Sequence, residues 1–299
     1  MSAPLLSVII PSWNRANWVC DAIDSALLQG PDGSIEVIVI DDASSDHTRA
    51  LLQQLYARQI KAGTLVYRRL RQRKGSGYAR NQGVALASGT FLAFLDSDDL
   101  WLEGKLAAEL DTFERFPETQ VVISDSLSFA EGEANKQSRF EFNGLQASCN
   151  KRECWLKECD WLWTNCENSV ATCSITLRRD LLPTLGLPLF ADDLISCEDW
   201  ELELKLYQVC RVRVIPALFA HVRSFDDASR VERAAANKPR SLKQTLSLLQ
   251  NRRTVMERTR LLPELPQYLH NEFNRMRELT EQQLAQLLTH DGQSLSLDN

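Results

Sequence analysis

The chain of 299 residues is 44% hydrophobic and 25% charged, with 34 Lys and Arg against 40 Asp and Glu for a formal net charge of −6. This is an ordinary globular composition with room for one large or two small domains, and its acidic balance excludes a broad nucleic-acid surface, which needs a basic footprint. No stretch approaches the roughly 18 consecutive apolar residues of a transmembrane helix, and Met1 to Ile10 lack the basic start of a signal peptide, so the expectation is a cytoplasmic protein, peripheral at the inner face of a membrane at most.

Leu5 to Ile10 is a short apolar run that stops at Pro11 and reads as a buried strand. Asn17 is placed to cap the next helix, in which Val19, Ala22, Ile23, Ala26 and Leu27 recur at helical spacing. Pro31-Asp32-Gly33 makes a turn. Glu36 to Ile40 is a second buried strand, ending abruptly at Asp41-Asp42-Ala43-Ser44. A helix with Leu51, Leu52 and Leu55 on one face follows, then a weaker strand from Leu65 to Arg68. Gly75 and Gly77 punctuate the loop before a small-residue helix through Ala79, Gly83 and Ala87. Phe91 to Leu95 is a fourth strand, ending at Asp96-Ser97-Asp98-Asp99. Strands alternating with helices imply an α/β fold with a mostly parallel sheet. Ligands of such a sheet bind outside the carboxyl ends of its strands. Pro11 to Arg15, Asp41 to Ser44 and Asp96 to Asp99 should therefore converge on one edge.

After Val121-Val122-Ile123 the alternation breaks down, and residues 130 to 175 read as an irregular insertion containing Trp155, Trp161 and Trp163. These rings suit either buried core or stacking on a sugar. Eight cysteines, at 20, 149, 154, 159, 166, 173, 197 and 210, include no C-x-x-C pair, so free, partly buried thiols are expected in preference to a structural metal. Trp200, Leu202, Leu204 and Leu206 alternate like a strand, but Glu201 to Gln208 is rich in helix formers and reads as helix. Helical periodicity returns from Ser241 to Arg253 and from Tyr268 to Leu288, and Gly292 to Asn299 is expected to be disordered.

Several groups could carry chemistry. The oxygen-rich Asp96 to Asp99 cluster suits a hard divalent cation, Mn²⁺ or Mg²⁺, which could bridge a nucleotide diphosphate; the competing reading is a solvated helix cap. Asp41-Asp42 could bond a nucleobase or ribose, or simply cap a helix. Arg80, after the Gly75 and Gly77 loop, could neutralise a phosphate, or be an ordinary surface Arg. No ATPase loop and no dinucleotide G-x-G-x-x-G is present. In Glu198-Asp199 adjacent acids can raise one another's pKa, which suits a general base; a solvated helix start is the plainer reading. His221 and Arg223 could face the same cleft, His221 more plainly as a structural residue.

Together these segments resemble family 2 of the inverting glycosyltransferases. Val8-Ile9-Ile10-Pro11-Ser12-Trp13-Asn14-Arg15 is similar to the family's opening strand, and Val39 to Asp46 to its second-strand D-D-x-S motif. Gly75 to Gly83 resembles its G-x-x-x-A-R-N-x-G segment, and Ala87 to Asp99 the run into its metal motif. Where the family often has Asn before the first glycine of the third motif, this chain has Arg73-Lys74. Leu189 to Trp200 resembles the acceptor-side E-D motif, and Phe219 to Ser229 the segment after it more loosely.

The resemblance implies a GT-A nucleotide-diphospho-sugar transferase fold with a helical C-terminal tail. It implies a donor-binding half over 1–115, an acceptor and catalytic-base half over 116–230 and a helical extension over 231–299. Pro11, Asn14, Arg15 and Asp42 would line the donor pocket, with Asp42 accepting from a uracil N–H. Arg80 would hold base or diphosphate, Asp96 would contact the ribose side, Asp98 would bind Mn²⁺ or Mg²⁺, and Asp199 would be the base. Glu198, His221 and Arg223 are secondary candidates. The partners implied are a nucleotide-sugar donor, UDP-linked by expectation, and a saccharide or lipid-linked acceptor, for cell-surface polysaccharide or glycoconjugate synthesis. A nucleotidyltransferase and a non-catalytic sugar-nucleotide binding module are the alternatives.

Overall fold

The computed structural model describes residues 3–31, 33–130, 133–134, 137–156, 170–194, 196–223, 242–259 and 267–294. Four strands open the chain's sheet, the buried β1 (Leu6–Ser12), β2 (Ile35–Asp41) and β4 (Phe91–Phe94) and the largely uncovered edge strand β3 (Leu65–Arg69). They lie side by side in the order β3-β2-β1-β4, all parallel. Helices α1 (Val19–Leu27), α2 (Thr48–Leu55), α3 (Ala57–Ala62) and α4 (Ser76–Leu86) make the crossovers.

The second half is less regular. Two-residue β5 (Leu100–Trp101) precedes α5 (Lys105–Arg115) and β6 (Val121–Ala130). Short β7 (Glu133–Ala134), α6 (Arg139–Asn143), α7 (Leu145–Ser148) and β8 (Cys154–Trp155) follow, then β9 (Ile175–Arg178) and α8 (Leu182–Leu185). The long β10 (Val212–Arg223) comes after α9 (Glu198–Val209). β9 inserts antiparallel between β4 and β6, β10 runs parallel to β6, and β5 closes the path antiparallel to β10. The longest ladders are parallel and the short additions antiparallel, so the sheet is mixed. Helices α10 (Leu242–Arg258) and α11 (Gln267–Ser294) place Val255, Met256 and Phe273 in the same hydrophobic cluster as Ile9, Phe94 and Val121.

Several local expectations change. β1 does not stop at Pro11 but runs on to Ser12. There it pairs with β2 alone, in the register Pro11↔Ile40, because its pairing with β4 ends at Ile9↔Phe94. A missing N–H therefore costs no ladder bond. Asn17 does not cap α1; Trp18 is the N-cap, with no side-chain cap bond. Leu55 of α2 is exposed while Leu52 is buried. α11 continues to Ser294, so the tail is helical beyond Gly292, and 295–299 lie outside the described residues. So do Cys159, Trp161, Trp163 and Cys166. Of the six described cysteines, Cys149, Cys173 and Cys210 are buried, and Cys20, Cys154 and Cys197 are partly exposed.

Gly83 shows how closely α4 lies on the sheet: a Cβ there would run into Cγ2 of Ile9 on β1. Gly83→Ala should therefore destabilise the protein by about 1–3 kcal/mol through overpacking, against the gain in helix propensity that Ala ordinarily brings. A urea midpoint equal to or above that of the unaltered chain would contradict this packing.

Candidate active site

The parallel strands carry their C-terminal ends to one edge, and the three polar segments meet there. The chain turns sharply as it leaves β1 and β2, since Asn14 and Ala43 have left-handed φ values of 52° and 62°. The two turns are bonded together. The Asn14 N–H donates to Ser44 Oγ at 2.9 Å, and the Ser45 N–H donates to Asn14 Oδ1 at 2.8 Å. Strained backbone of this kind persists only where its surroundings over-determine it.

The two adjacent aspartates at the end of β2 differ in use. Asp41 is fully buried and accepts from the Ser44 N–H at 2.7 Å and the Tyr67 hydroxyl at 2.5 Å. Burial, with the acceptor Asp41 beside it, pushes the Tyr67 pKa up. Asp42 accepts the backbone N–H groups of Lys74 and Gly75, each at 2.7 Å, and so holds the loop before α4 against β2. A carboxylate has about four acceptor positions, so a ligand N–H can still be taken. Next to this loop the Arg73 guanidinium stacks on Trp13, 3.5 Å from the ring centroid.

Asp96, Asp98 and Asp99 follow β4 directly. Arg15 reaches across from the β1 turn, and its Nε lies 3.1 Å from Asp98 Oδ2. Asp99 is buried and accepts the Arg223 N–H at 2.9 Å, while Arg223 Nε donates to the Asp98 carbonyl at 3.0 Å. The end of β10 is thus joined to the acidic turn. Burial pushes Asp99 well above the ordinary carboxylate range, with Asp96 and Asp98 adding to the rise. Burial and then Asp96 also raise Asp98, against the lowering by Arg15. His221, two residues before Arg223, is half-buried beside Phe129, with ring centroids 5.5 Å apart, and burial lowers its pKa. It pairs in the ladder between Leu100 and Leu127.

Arg80 links this edge to the remaining acids. It is 1% exposed, not at the surface. Its Nη2 lies 2.6 Å from Asp96 Oδ1 and its Nη1 lies 2.9 Å from Glu198 Oε1. The Ser76 hydroxyl donates to the same Glu198 oxygen at 2.5 Å. Burial works against the Arg80 charge, but Asp96, Glu198 and Asp199 outweigh it and its pKa rises. Glu198 is wholly buried, and a Cβ on Gly77 would stand 3.2 Å from its Cγ. Glu198 and Asp199 both lie in the first turn of α9, where the helix dipole favours negative charge. Asp199 is half-buried, and its Oδ1 accepts the Trp200 N–H at 2.9 Å.

The structure therefore brings Asn14, Arg15, Asp42, Arg80, Asp96, Asp98, Glu198, Asp199 and Arg223 to one edge, with Pro11 buried at the strand end behind them. Two features were not legible as site features: the Arg73–Trp13 stack, and the tie from Arg223 to the acidic turn. No helix among the described residues is long and apolar enough to cross a membrane. Nor do the described residues contain a ready cluster of three metal-ligating side chains. A cation held partly by a substrate's phosphates needs only one or two protein carboxylates, and the Asp96–Asp98–Asp99 turn offers carboxylates for one, although burial first, and then the neighbouring aspartates, disfavour charge on Asp98 and Asp99 until a cation neutralises it.

A model of glycosyl transferase family 2 matches residues 7–179. A glycosyltransferase provisionally assigned to teichuronic acid biosynthesis, TuaG of Bacillus subtilis (strain 168), is 41% identical over 108 residues, 36% of this chain and 41% of that protein. The Escherichia coli UDP-Glc:alpha-D-GlcNAc-diphosphoundecaprenol beta-1,3-glucosyltransferase WfgD is 35% identical over 128 residues, 43% of this chain and 45% of that protein. The matches thus span less than half the length of these relatives. Among solved structures, S. aureus TarS 1-349 in complex with UDP-GlcNAc superposes with a TM-score of 0.63 at 20% identity, covering 95% of this chain and 71% of that one. The mannosyltransferase PcManGT from Pyrobaculum calidifontis, in complex with GDP-Man and Mn²⁺, gives 0.64 at 18% identity, covering 98% and 76%. At these identities the structural likeness speaks for the fold alone. With the family model matching more than half of its residues, the chain belongs to glycosyl transferase family 2 and has a GT-A type fold.

Proposed function

We propose that the chain is an inverting glycosyltransferase that moves a hexosyl group from a UDP-sugar to an acceptor hydroxyl, with Mn²⁺ or Mg²⁺ as cofactor. The observation that carries this reading is the Asp96–Arg80–Glu198 bridge, which holds the turn at the end of β4 beside the acid-bearing start of α9. The donor is assigned to residues 1–115. Asn14 and Asp42 would line the nucleoside pocket at the β1 and β2 turns, with Pro11 supporting it. Asp96 would face the ribose. Arg80 would act by holding Asp96, not by touching the diphosphate.

Asp98 would be the protein's ligand to the metal. A bound Mn²⁺ or Mg²⁺ would neutralise the donor diphosphate and stabilise the departing phosphate oxygen. Arg15, which pairs with Asp98, would stand beside the metal and the phosphates. Asp98→Ala should abolish any strengthening of UDP binding by Mn²⁺ and leave the affinity in EDTA near that of the unaltered chain. Calorimetry in the two buffers checks this, and a variant that still responds to Mn²⁺ would remove Asp98 from the metal site.

The acceptor is assigned to residues 116–230, with Asp199 as base, and residues 231–299 form a helical extension. Alignment of the two reactants and neutralisation of developing charge would supply the catalysis. A saccharide or lipid-linked acceptor in cell-surface polysaccharide or glycoconjugate synthesis is supported by the name of WfgD, whose acceptor is a diphosphoundecaprenol-linked sugar. A cytoplasmic placement, peripheral at the membrane, follows from such an acceptor. Uridine is favoured by the UDP-Glc in the name of WfgD and by the UDP-GlcNAc complex of TarS, while the GDP-Man complex of PcManGT supports the competing base. Calorimetry with UDP and GDP in Mn²⁺ decides between them. Tighter binding of UDP is expected, and tighter binding of GDP would overturn the uridine assignment.

A further inference from the structure

Two sets of contacts hold the chain where it enters α9. On the donor side, Ser76 and Arg80 hold Glu198. The second set comes from α10, far along the sequence. The Arg258 guanidinium meets the Asp193 carboxylate with two prongs, Nη1 to Oδ1 at 3.2 Å and Nη2 to Oδ2 at 2.5 Å. Its Nη1 also donates to Glu201 Oε1 at 3.3 Å. Asn251 Nδ2 donates to Ser196 Oγ at 3.0 Å, and the Arg252 guanidinium stands 5.9 Å from the Trp200 ring centroid. Asn251, Val255 and Arg258 recur at i, i+4 and i+7, one face of a helix. Val255 and Met256 are buried in the core cluster that also takes in Leu194 and Trp200, and α10 packs in turn on α11.

The held stretch is a strained one. Cys197, the N-cap of α9, has φ 69° and ψ 11°, a left-handed conformation uncommon outside glycine. Such backbone persists where its surroundings over-determine it, and Asp199 follows two residues later. The Arg258 and Asp193 side chains are 41% and 60% exposed. An ion pair so open to water adds little to overall stability. Its use lies in geometry: a planar guanidinium bound through two nitrogens fixes direction as well as distance. Hydrogen bonding to Arg258 holds the Asp193 carboxyl below the ordinary range, so the pair stays charged at neutral pH.

We propose that α10 braces the turn that carries Asp199, with Arg258 as a positioning residue that acts through Asp193 and Glu201 to set this carboxylate against the acceptor. The proposal rests on the reading of Asp199 as the base. The helical C-terminal extension then takes part in transfer, and Arg258 does so without touching either substrate. Misplacing a reacting group by about 1 Å can cost on the order of 10²-fold in rate, so loosening one outer contact is expected to cost about 10-fold.

Two readouts on the full chain test the brace: hydrogen exchange of peptides covering the start of α9, and steady-state release of UDP in Mn²⁺ from UDP-glucose or UDP-N-acetylglucosamine, whichever the unaltered chain consumes faster. Water is the acceptor in this assay, and Asp199 would take its proton as it would that of a sugar hydroxyl. Arg258→Ala should speed exchange at the start of α9 and lower kcat about 10-fold, a loss smaller than a fully misplaced base would give. Donor KM and the urea midpoint should stay near those of the unaltered chain. Adding Asp193→Ala should slow release no further, since the two residues act as one contact. Arg253→Ala removes the same charge from the same helix, but its guanidinium pairs with Glu257, and both readouts should stay unchanged. Unchanged exchange or unchanged kcat in Arg258→Ala would overturn the brace and leave the transferase reading standing. An equal loss in Arg253→Ala, or a loss that tracks a raised donor KM or a lowered urea midpoint, would overturn it as well. No UDP release by the unaltered chain would instead overturn the reading on which the brace rests.

Discussion

Asp199→Asn is expected to lower single-turnover sugar transfer by about 10²- to 10⁴-fold, the contribution of a positioned base, while UDP-sugar and Mn²⁺ affinities stay near those of the unaltered chain. A sugar hydroxyl is a poor nucleophile at neutral pH, so its proton must be taken as it attacks. Asp199 lies in the first turn of α9. It is half-buried, whereas its neighbour Glu198 is wholly buried and occupied by Ser76 and Arg80. Only Asp199 of the two is accessible to an acceptor. Asparagine keeps the shape and removes the basicity. Single-turnover transfer beside donor calorimetry separates the outcomes. Near-normal transfer would place the base elsewhere, and a loss of donor affinity would move Asp199 into the nucleotide or metal shell.

Arg80→Met should be the most destabilising single change at the site, by about 3–5 kcal/mol, because it leaves a buried charge without its partner. The charge is that of Glu198, and the Asp96 carboxylate loses its 2.6 Å contact in the same step. Glu198→Gln should cost less. The amide oxygen can still accept from Ser76 and Arg80, and Arg80 retains Asp96. Adding Glu198→Gln to Arg80→Met should recover part of the loss, since no buried charge is then left unpaired. Urea unfolding of the three variants checks the order. An Arg80→Met midpoint close to that of the unaltered chain would mean that the bridge carries little of the fold. The same bridge predicts that Glu198→Gln disturbs transfer less than Asp199→Asn does.

Much of the first half was legible because its signals are local. β1, β2 and β4 are apolar runs followed by polar clusters, and parallel topology sends such clusters to one edge. α9 was read correctly because helix-forming side chains outweighed an alternating pattern. What the sequence hid depends on distant partners. Asn17 has the right chemistry for a cap, yet the chain enters α1 through Arg15, whose carbonyl accepts the Trp18 and Val19 N–H groups. β9 is a four-residue strand whose place between β4 and β6 is set by tertiary pairing alone. The burial of Arg80 had a readable trace: Gly77, Arg80 and Gly83 recur every three residues, and all are buried. Small residues at that spacing mark a tightly packed face, and an Arg on it must have buried acids as partners.

The most direct test of the account is donor turnover by the unaltered chain across a panel of nucleotide sugars in Mn²⁺. Transferases leak some donor to water, so the account predicts slow release of UDP and free sugar from at least one UDP-sugar, abolished by EDTA and by Asp98→Ala. A chain that binds UDP tightly in calorimetry but consumes no sugar nucleotide, with or without saccharide and lipid-linked acceptors, would contradict it and leave a binding module in place of an enzyme.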